Sequence, residues 1–356
     1  MSNPAGAYCA RLIYRRRQEL IDRIASRQGR DPLLASLTVP GTRGHDADDP
    51  GTHLSHLAEA LAAGRSELFE RYAAWAHVLI TRVGARDHQL TRTLEAVRDV
   101  IEHRLPSEAG GLATQYLSRG LDLLRTEPAD PQSLLDGSTS SAGLARRYLG
   151  ALLSGDRESA ARLMHDAAAR AGDSEALLEG VLRPALGEIG LLWQTGKINV
   201  AKAHHATEST RLLIGQLRSA SEAGRPNGRR VVACCVGGEL HEIGVRIVAD
   251  AFERAGWDAV CLGANTGLAR LGAELRRERT DVLALSVTIT ANLRQVRRII
   301  EEVREAEALA DVRIVVGGQP FEATPGLWRS LGADGTAADA SEAVRVCESQ
   351  AVAPVT

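Results

Sequence analysis

Only two of the 43 basic residues in this 356-residue chain are lysines, Lys197 and Lys202. The skew runs along the whole chain and reads as genome composition, so arginine richness by itself is no sign of phosphate recognition. The net charge of -2 gives no general pull toward nucleic acid. Cysteine is sparse: Cys9, Cys234, Cys235, Cys261 and Cys347 form neither a CxxC pair nor the paired spacing of a secreted disulfide scaffold. A reducing cytoplasm is the expected home. The opening MSNPAGAYCARLIYRRR has no apolar signal core, and no run approaches the roughly 20 apolar residues that a membrane span needs. Neither export nor membrane crossing is expected. With 44% hydrophobic and 25% charged residues, the chain is instead composed like folded domains, and its length allows two or three of them.

Residues 10–29 and 55–125 carry helical spacing, with Leu57, Leu61, Leu68, Phe69, Tyr72, Ala76, Ile80 and Val83 falling mostly at steps of three, four and seven. TVPGTRGHDADDPGTH, from Thr38 to His53, breaks any regular element and reads as a loop. A second break, TEPADPQSLLDGSTSSAG at 126–143, marks a domain boundary. Four helical segments follow, Leu144–Leu153, Glu158–Ala171, Ser174–Trp193 and Asn199–Ala220. Asp156, Asp173 and Asn199 stand at N-cap positions, and Gly172 and Gly196 where helices stop. After the linker EAGRPNGR, short β-rich runs alternate with helices: VVACCV, DAVCLG, DVLALSV and VRIVVGG. Such alternation predicts a parallel sheet covered by helices. The expected organisation is an all-α N-terminal domain over 1–135, a four-helix domain over 140–224 and an α/β domain over 229–356.

Open α/β sheets bind ligands beyond the carboxyl ends of their strands. After VVACCV come Gly237, Gly238, Glu239, Leu240, His241, Glu242, Ile243 and Gly244; the third run ends in Ser286, Val287 and Thr288; the fourth ends in Gly317 and Gly318. A histidine on such a loop offers a neutral imidazole nitrogen to a metal, and a carboxylate two residues earlier can hold the other nitrogen in one tautomer. Glycines at 244, 317 and 318 admit close backbone approach, and Ser286 and Thr288 supply hydroxyls. A phosphate-binding loop is the alternative, but the GxGxxG fingerprint is absent between Val236 and Gly244.

These strand ends resemble the cobalamin-binding fold of methionine synthase, the mutases and the cobalamin photoreceptors, whose signature reads DxHxxG, SxL or SxT, and GG. The resemblance covers residues 229 to about 350 and implies a flavodoxin-like domain that takes cobalamin with its benzimidazole displaced. His241 is then the lower axial cobalt ligand, and the nucleotide tail threads past Gly244, Ser286, Thr288, Gly317 and Gly318. Glu239 stands where the family has aspartate. The four-helix block resembles the cap that lies over the corrin in such proteins. Within it, LWQTGKINVAKAHHAT is similar to the light-sensing branch, in which a tryptophan is followed after nine residues by Glu-His. Trp193 and His204 match; Ala203 replaces the glutamate, and Gln194 stands where some relatives have a second cobalt-binding histidine. His204 and His205 are possible substitutes.

No basic recognition helix with a wing is evident in residues 1–130, so DNA binding is not expected. An extra helical domain ahead of the cap resembles the photocobilins, which hold biliverdin beside cobalamin. Along the helix from Glu67, Arg71, Trp75, Val78 and Arg82 form a second stripe beside the core stripe. Arginines there would pair with pigment propionates, and Trp75 or His77 would meet its pyrrole rings. Cys9 is the only thiol before residue 234, and a thioether link to a bilin is conceivable. The resemblance implies a non-enzymatic light sensor for adenosylcobalamin and biliverdin, a homo-oligomer whose assembly changes with light and which signals to an unidentified partner, with neither membrane nor nucleic acid involved. The rival reading is a corrinoid methyl carrier of a methyltransferase system; a stress-regulator sensor domain is a third.

Overall fold

The computed structural model describes residues 3–30, 49–82, 88–126, 128–171, 177–219, 224–277 and 279–349. The chain divides into two compact units: residues 1–130 with 194–196 and 289–294, and residues 131–193 with 197–288 and 295–356.

The first unit is built on helices α1 (Pro4–Arg15), α2 (Arg17–Arg30), α3 (Pro50–Ala63), α4 (Ser66–Arg82), α5 (Gln89–Arg104) and α6 (Ser107–Leu123). Asp49 caps α3, its carboxylate accepting from the Thr52 amide at 2.8 Å. Pro50 takes the first helical position, where its missing N–H costs nothing. The helix therefore starts inside the stretch expected to be loop as far as His53. The rest of that stretch, 38–48, lies outside the described residues, as do Val83, Gly172 and Asp173. In α4 the apolar spacing buries Leu68, Phe69, Tyr72, Ala76 and Ile80. Each large apolar side chain removed from water in this way contributes about 1.5–3 kcal/mol.

The second unit opens with α7 (Ser140–Leu153), α8 (Arg157–Ala171), α9 (Arg183–Gln194) and α10 (Val200–Ser219), with a π-helical turn at Leu178–Leu182 leading into α9. Pro184 has no amide hydrogen to continue a regular ladder, and the Arg183 amide reaches five residues back to Leu178. Asp156 and Asn199 cap α8 and α10 by accepting from Ser159 and Lys202, both at 2.9 Å. Tyr148, Met164, Leu182, Ile189, Ala206 and Leu213 share one core with Ile243 and Ile247 of the α/β part.

That part runs β1 (Arg230–Val236), α11 (Ile243–Arg254), β2 (Asp258–Thr266), α12 (Leu268–Arg277), β3 (Val282–Ser286), α13 (Leu293–Glu305), β4 (Arg313–Gly317), α14 (Gln319–Ala323), α15 (Leu327–Leu331), β5 (Gly335–Ala337) and α16 (Ala340–Ser349). All pairings are parallel, in the order β2-β1-β3-β4-β5. This is the flavodoxin-like order, whose switch point lies between β1 and β3. The sequence places β2 at 258–263, but it continues to Thr266 through register shifts opposite Cys234 and Val236. Among the described residues no helix is long and apolar enough to cross a membrane.

Candidate cofactor site

The loop leaving β1 turns at once, with the Glu239 amide bonded to the Val236 carbonyl at 3.0 Å and Gly238 at a φ of 82°. The turn drives the Glu239 side chain into full burial while leaving His241 exposed. A buried carboxylate needs its oxygens hydrogen-bonded. Here the Nδ1–H of His241 donates to Oε1 at 2.5 Å, the His241 amide to the same oxygen at 3.2 Å, and the Thr288 amide to Oε2 at 2.9 Å. With Nδ1 as donor, Nε2 carries the imidazole lone pair, which makes it the ligating nitrogen for a metal. Glu239 follows β1 and Thr288 follows β3, so this one carboxylate bridges the two strands that define the switch point.

The other strand-end residues play different parts. Ser286 is half-buried and pairs with Gly317 across β3 and β4. Thr288 contributes its backbone N–H to Glu239. Gly244 is exposed near the start of α11, and a Cβ placed there would meet no atom within 4 Å. Gly317 is closer to its surroundings, a Cβ lying 3.1 Å from the Ala337 carbonyl. Gly318 differs from both: at φ 108° a Cβ would sit 2.0 Å from the Val287 carbonyl oxygen, so the backbone itself demands glycine there. The Cys235 thiol bonds to the His241 carbonyl at 3.5 Å, and burial pushes its pKa well up.

Trp193 is half-buried at the end of α9, and His204 and His205 are exposed in the first half of α10. Ala203 packs against the helical core. Gln194 is buried, its Nε2 donating to the Trp75 carbonyl at 3.1 Å.

In the first unit, Arg71 and Trp75 are exposed on α4 and His77 is half-buried, its basicity lowered by burial and by His88. Val78, assigned to the same stripe by spacing, is buried instead. Arg82 is paired with Asp130 at 2.8 Å. Cys9 is buried, its thiol donating to the Ala109 carbonyl at 3.2 Å, and burial raises its pKa to about 11. That setting does not suit attachment of a pigment.

Sequence reasoning missed a polar cluster on α3. His53 shares a 2.7 Å hydrogen bond with the Tyr72 hydroxyl, and His56 stacks on the Tyr72 ring at 3.6 Å. Tyr14 donates to Glu59 at 2.8 Å, and Trp75 lies beside Tyr72 at 6.4 Å. His53, His56 and Glu59 are buried, and the His56 pKa is pushed down to about 3 by burial and by His53. Their i, i+3, i+6 spacing is the available signal, but it appears only if the helix is started at Pro50 instead of beyond His53.

Residues 229–345 match the B12 binding domain family, and residues 144–218 match a second B12 binding domain. Dimethylamine corrinoid protein 1 of Methanosarcina acetivorans is 26% identical over 174 residues, which are 48% of this chain and 81% of that protein. The HTH-type transcriptional repressor CarA of Myxococcus xanthus is 28% identical over 225 residues, 63% of this chain and 71% of the repressor. The fold of the Methanosarcina barkeri monomethylamine corrinoid protein matches 59% of this chain and all of that one, at 18% identity and a TM-score of 0.51. The chain is a cobalamin-binding protein, with one B12 binding domain on the parallel sheet and a second on the helices that precede it.

Proposed function

We propose that this cobalamin-binding protein is a light sensor that takes adenosylcobalamin, with Nε2 of His241 as lower axial ligand, and biliverdin on its N-terminal unit. The residues present fit cobalamin: an exposed imidazole whose other nitrogen is tied to a buried carboxylate, and beside it an open surface at Gly244. When bound, adenosylcobalamin supplies a cobalt–carbon bond that light breaks. Glu239 holds the imidazole in the ligating tautomer, and the Thr288 amide fixes Glu239. Ser286, Gly317 and Gly318 line the ends of β3 and β4, where the nucleotide tail would run.

The pair Trp193 and His204, at the spacing of the light-sensing branch that this segment resembles, carries the reading beyond cobalamin binding. Trp193 would fill space beside the adenosyl group, with His204 and His205 facing the same ligand. Arg71 and Arg82 would meet the propionates of biliverdin, and Trp75 and His77 its rings. Arg82 must then exchange Asp130 for the pigment. We assign no catalytic reaction to the chain and place it in the cytoplasm as a homo-oligomer whose assembly changes with light, signalling to a downstream protein and not to DNA. Absorption spectra with both pigments, taken before and after green light, test this reading. It requires a bound bilin band and a photolysed cobalamin in one protein.

A corrinoid methyl carrier is the second reading, favoured by the match to 81% of the dimethylamine corrinoid protein. That match leaves about half of this chain unaccounted for. A carrier would bind methylcobalamin, ignore biliverdin and keep its mass in light.

A further inference from the structure

We infer that Asn265 is a positioning residue for the loop that carries His241. The inference rests on His241 being the cobalt ligand.

The tip of the loop has little packing to hold it, for Leu240 is 62% exposed and His241 projects beside it. The Thr288 amide holds the Glu239 carboxylate, and the loop's backbone is restrained from the end of β2. Asn265 gives its backbone N–H to the Glu239 carbonyl at 2.9 Å, and its side-chain Oδ1 accepts from the Gly238 amide at 2.8 Å. One residue thus grips the Gly238–Glu239 peptides at two points. One residue earlier, the Ala264 amide donates to the Glu242 carboxylate at 3.0 Å, so β2 holds the loop on both sides of His241.

The backbone is shaped for this task. Asn265 has a φ of 51°, one of two non-glycine residues with positive φ among the described residues. Asparagine tolerates that region better than most side chains. Thr266, next in line, is buried and paired with Val236, so the strand fixes Asn265 from behind. The register shifts in β2 are what bring the asparagine to face the loop. Displacing Gly238 and Glu239 would move the carboxylate that selects the ligating nitrogen of His241.

Three variants separate the roles. Asn265→Gly keeps the left-handed backbone and its N–H but loses the Oδ1 acceptor; Asn265→Asp keeps that acceptor; Asn265→Ala loses the acceptor and strains the backbone. Two readouts are made on the full chain, with melting temperature as the control for folding. In the apoprotein, hydrogen exchange of the 237–242 amides should speed up about tenfold in Asn265→Gly and stay near wild type in Asn265→Asp. With cob(II)alamin bound to protein grown on 15N-histidine, the fraction showing the 15N doublet in electron paramagnetic resonance should fall in Asn265→Gly and recover in Asn265→Asp. Wild-type exchange and splitting in a folded Asn265→Gly would overturn the proposal, and so would altered exchange with unchanged splitting. His241→Ala is run beside them: if the wild type already lacks histidine splitting, the ligand assignment fails, and Asn265 is judged on apoprotein exchange alone.

Discussion

The buried carboxylate of Glu239 and the exposed imidazole of His241 are joined by a 2.5 Å hydrogen bond. Because both Glu239 oxygens accept, the pair is sensitive to a change that alters charge but not shape. In Glu239→Gln the amide NH2 must face either the Thr288 amide or Nδ1 of His241. The first sets donor against donor, and the second shifts the imidazole proton to Nε2, where it blocks ligation. Cobalamin affinity should fall about 10–100-fold, as for other orienting partners of metal-bound histidines. Titration of the apoprotein with hydroxocobalamin, followed by absorbance, measures it; affinity equal to wild type would separate Glu239 from ligation.

The strand-end glycines should divide by mechanism. Gly318→Val forces a Cβ against the Val287 carbonyl at a φ of 108°, so the variant should lose stability without any ligand present. The Cβ that Gly244→Val adds meets nothing within 4 Å, so the variant should melt within about 3 °C of wild type, yet bind cobalamin more weakly. Thermal melts of the apoproteins and one binding titration decide this. A Gly318→Val protein as stable as wild type would refute the backbone argument.

Asp250 on α11 is buried 3.4 Å from Arg218 of α10, and burial raises its pKa to about 6 from 3.8. A native pKa above the unfolded one means that the folded state holds the proton more tightly. The carboxyl's contribution to stability is therefore complete below about pH 4 and is lost as pH rises through 6. One proton gives a slope of at most roughly 1.4 kcal/mol per pH unit in that window. Asp250→Asn should remove this slope and gain on wild type as pH rises from 4 to 7. Parallel stability curves for the two proteins would contradict it.

The parts of the fold that were legible in the sequence are those where one strand or loop carries its own signal. VVACCV is a continuous apolar run because β1 is an interior strand covered on both faces, and GGELHEIG stands out by its glycines, glutamates and histidine directly after it. The end of β2 was not legible, because a bulge breaks the pattern and Asn265 looks like any turn residue until its two partners are seen. Likewise the sequence points to Glu239 as the imidazole's partner, but its bond to Thr288 depends on β1 and β3 being neighbours. The α3 cluster was hidden by a Pro-Gly pair that reads as a loop and is in fact a helix start.

Burial of Cys9 leads to a prediction about the pigment. Biliverdin bound to this protein should come away on denaturation and leave no zinc-dependent fluorescence on a denaturing gel. Cys9→Ala, if folded, should keep the bilin absorption band. Fluorescence that survives denaturation and disappears in Cys9→Ala would establish a thioether.

Trp193→Ala should leave photolysis intact, since the cobalt–carbon bond breaks by the cofactor's own photochemistry, and should weaken the change in assembly that follows. Size-exclusion chromatography with light scattering, dark and illuminated, compares it with wild type. Identical wild-type masses after confirmed photolysis would remove the switch and leave the carrier.

The most direct test of the central claim is electron paramagnetic resonance of the protein loaded with cob(II)alamin after growth with 15N-histidine. If Nε2 of His241 is the lower axial ligand, each cobalt line is split into a doublet by 15N, where unlabelled protein gives a 14N triplet, and His241→Ala abolishes the difference. A triplet that persists in the labelled protein would mean that the cofactor keeps its own benzimidazole, and would contradict the assignment.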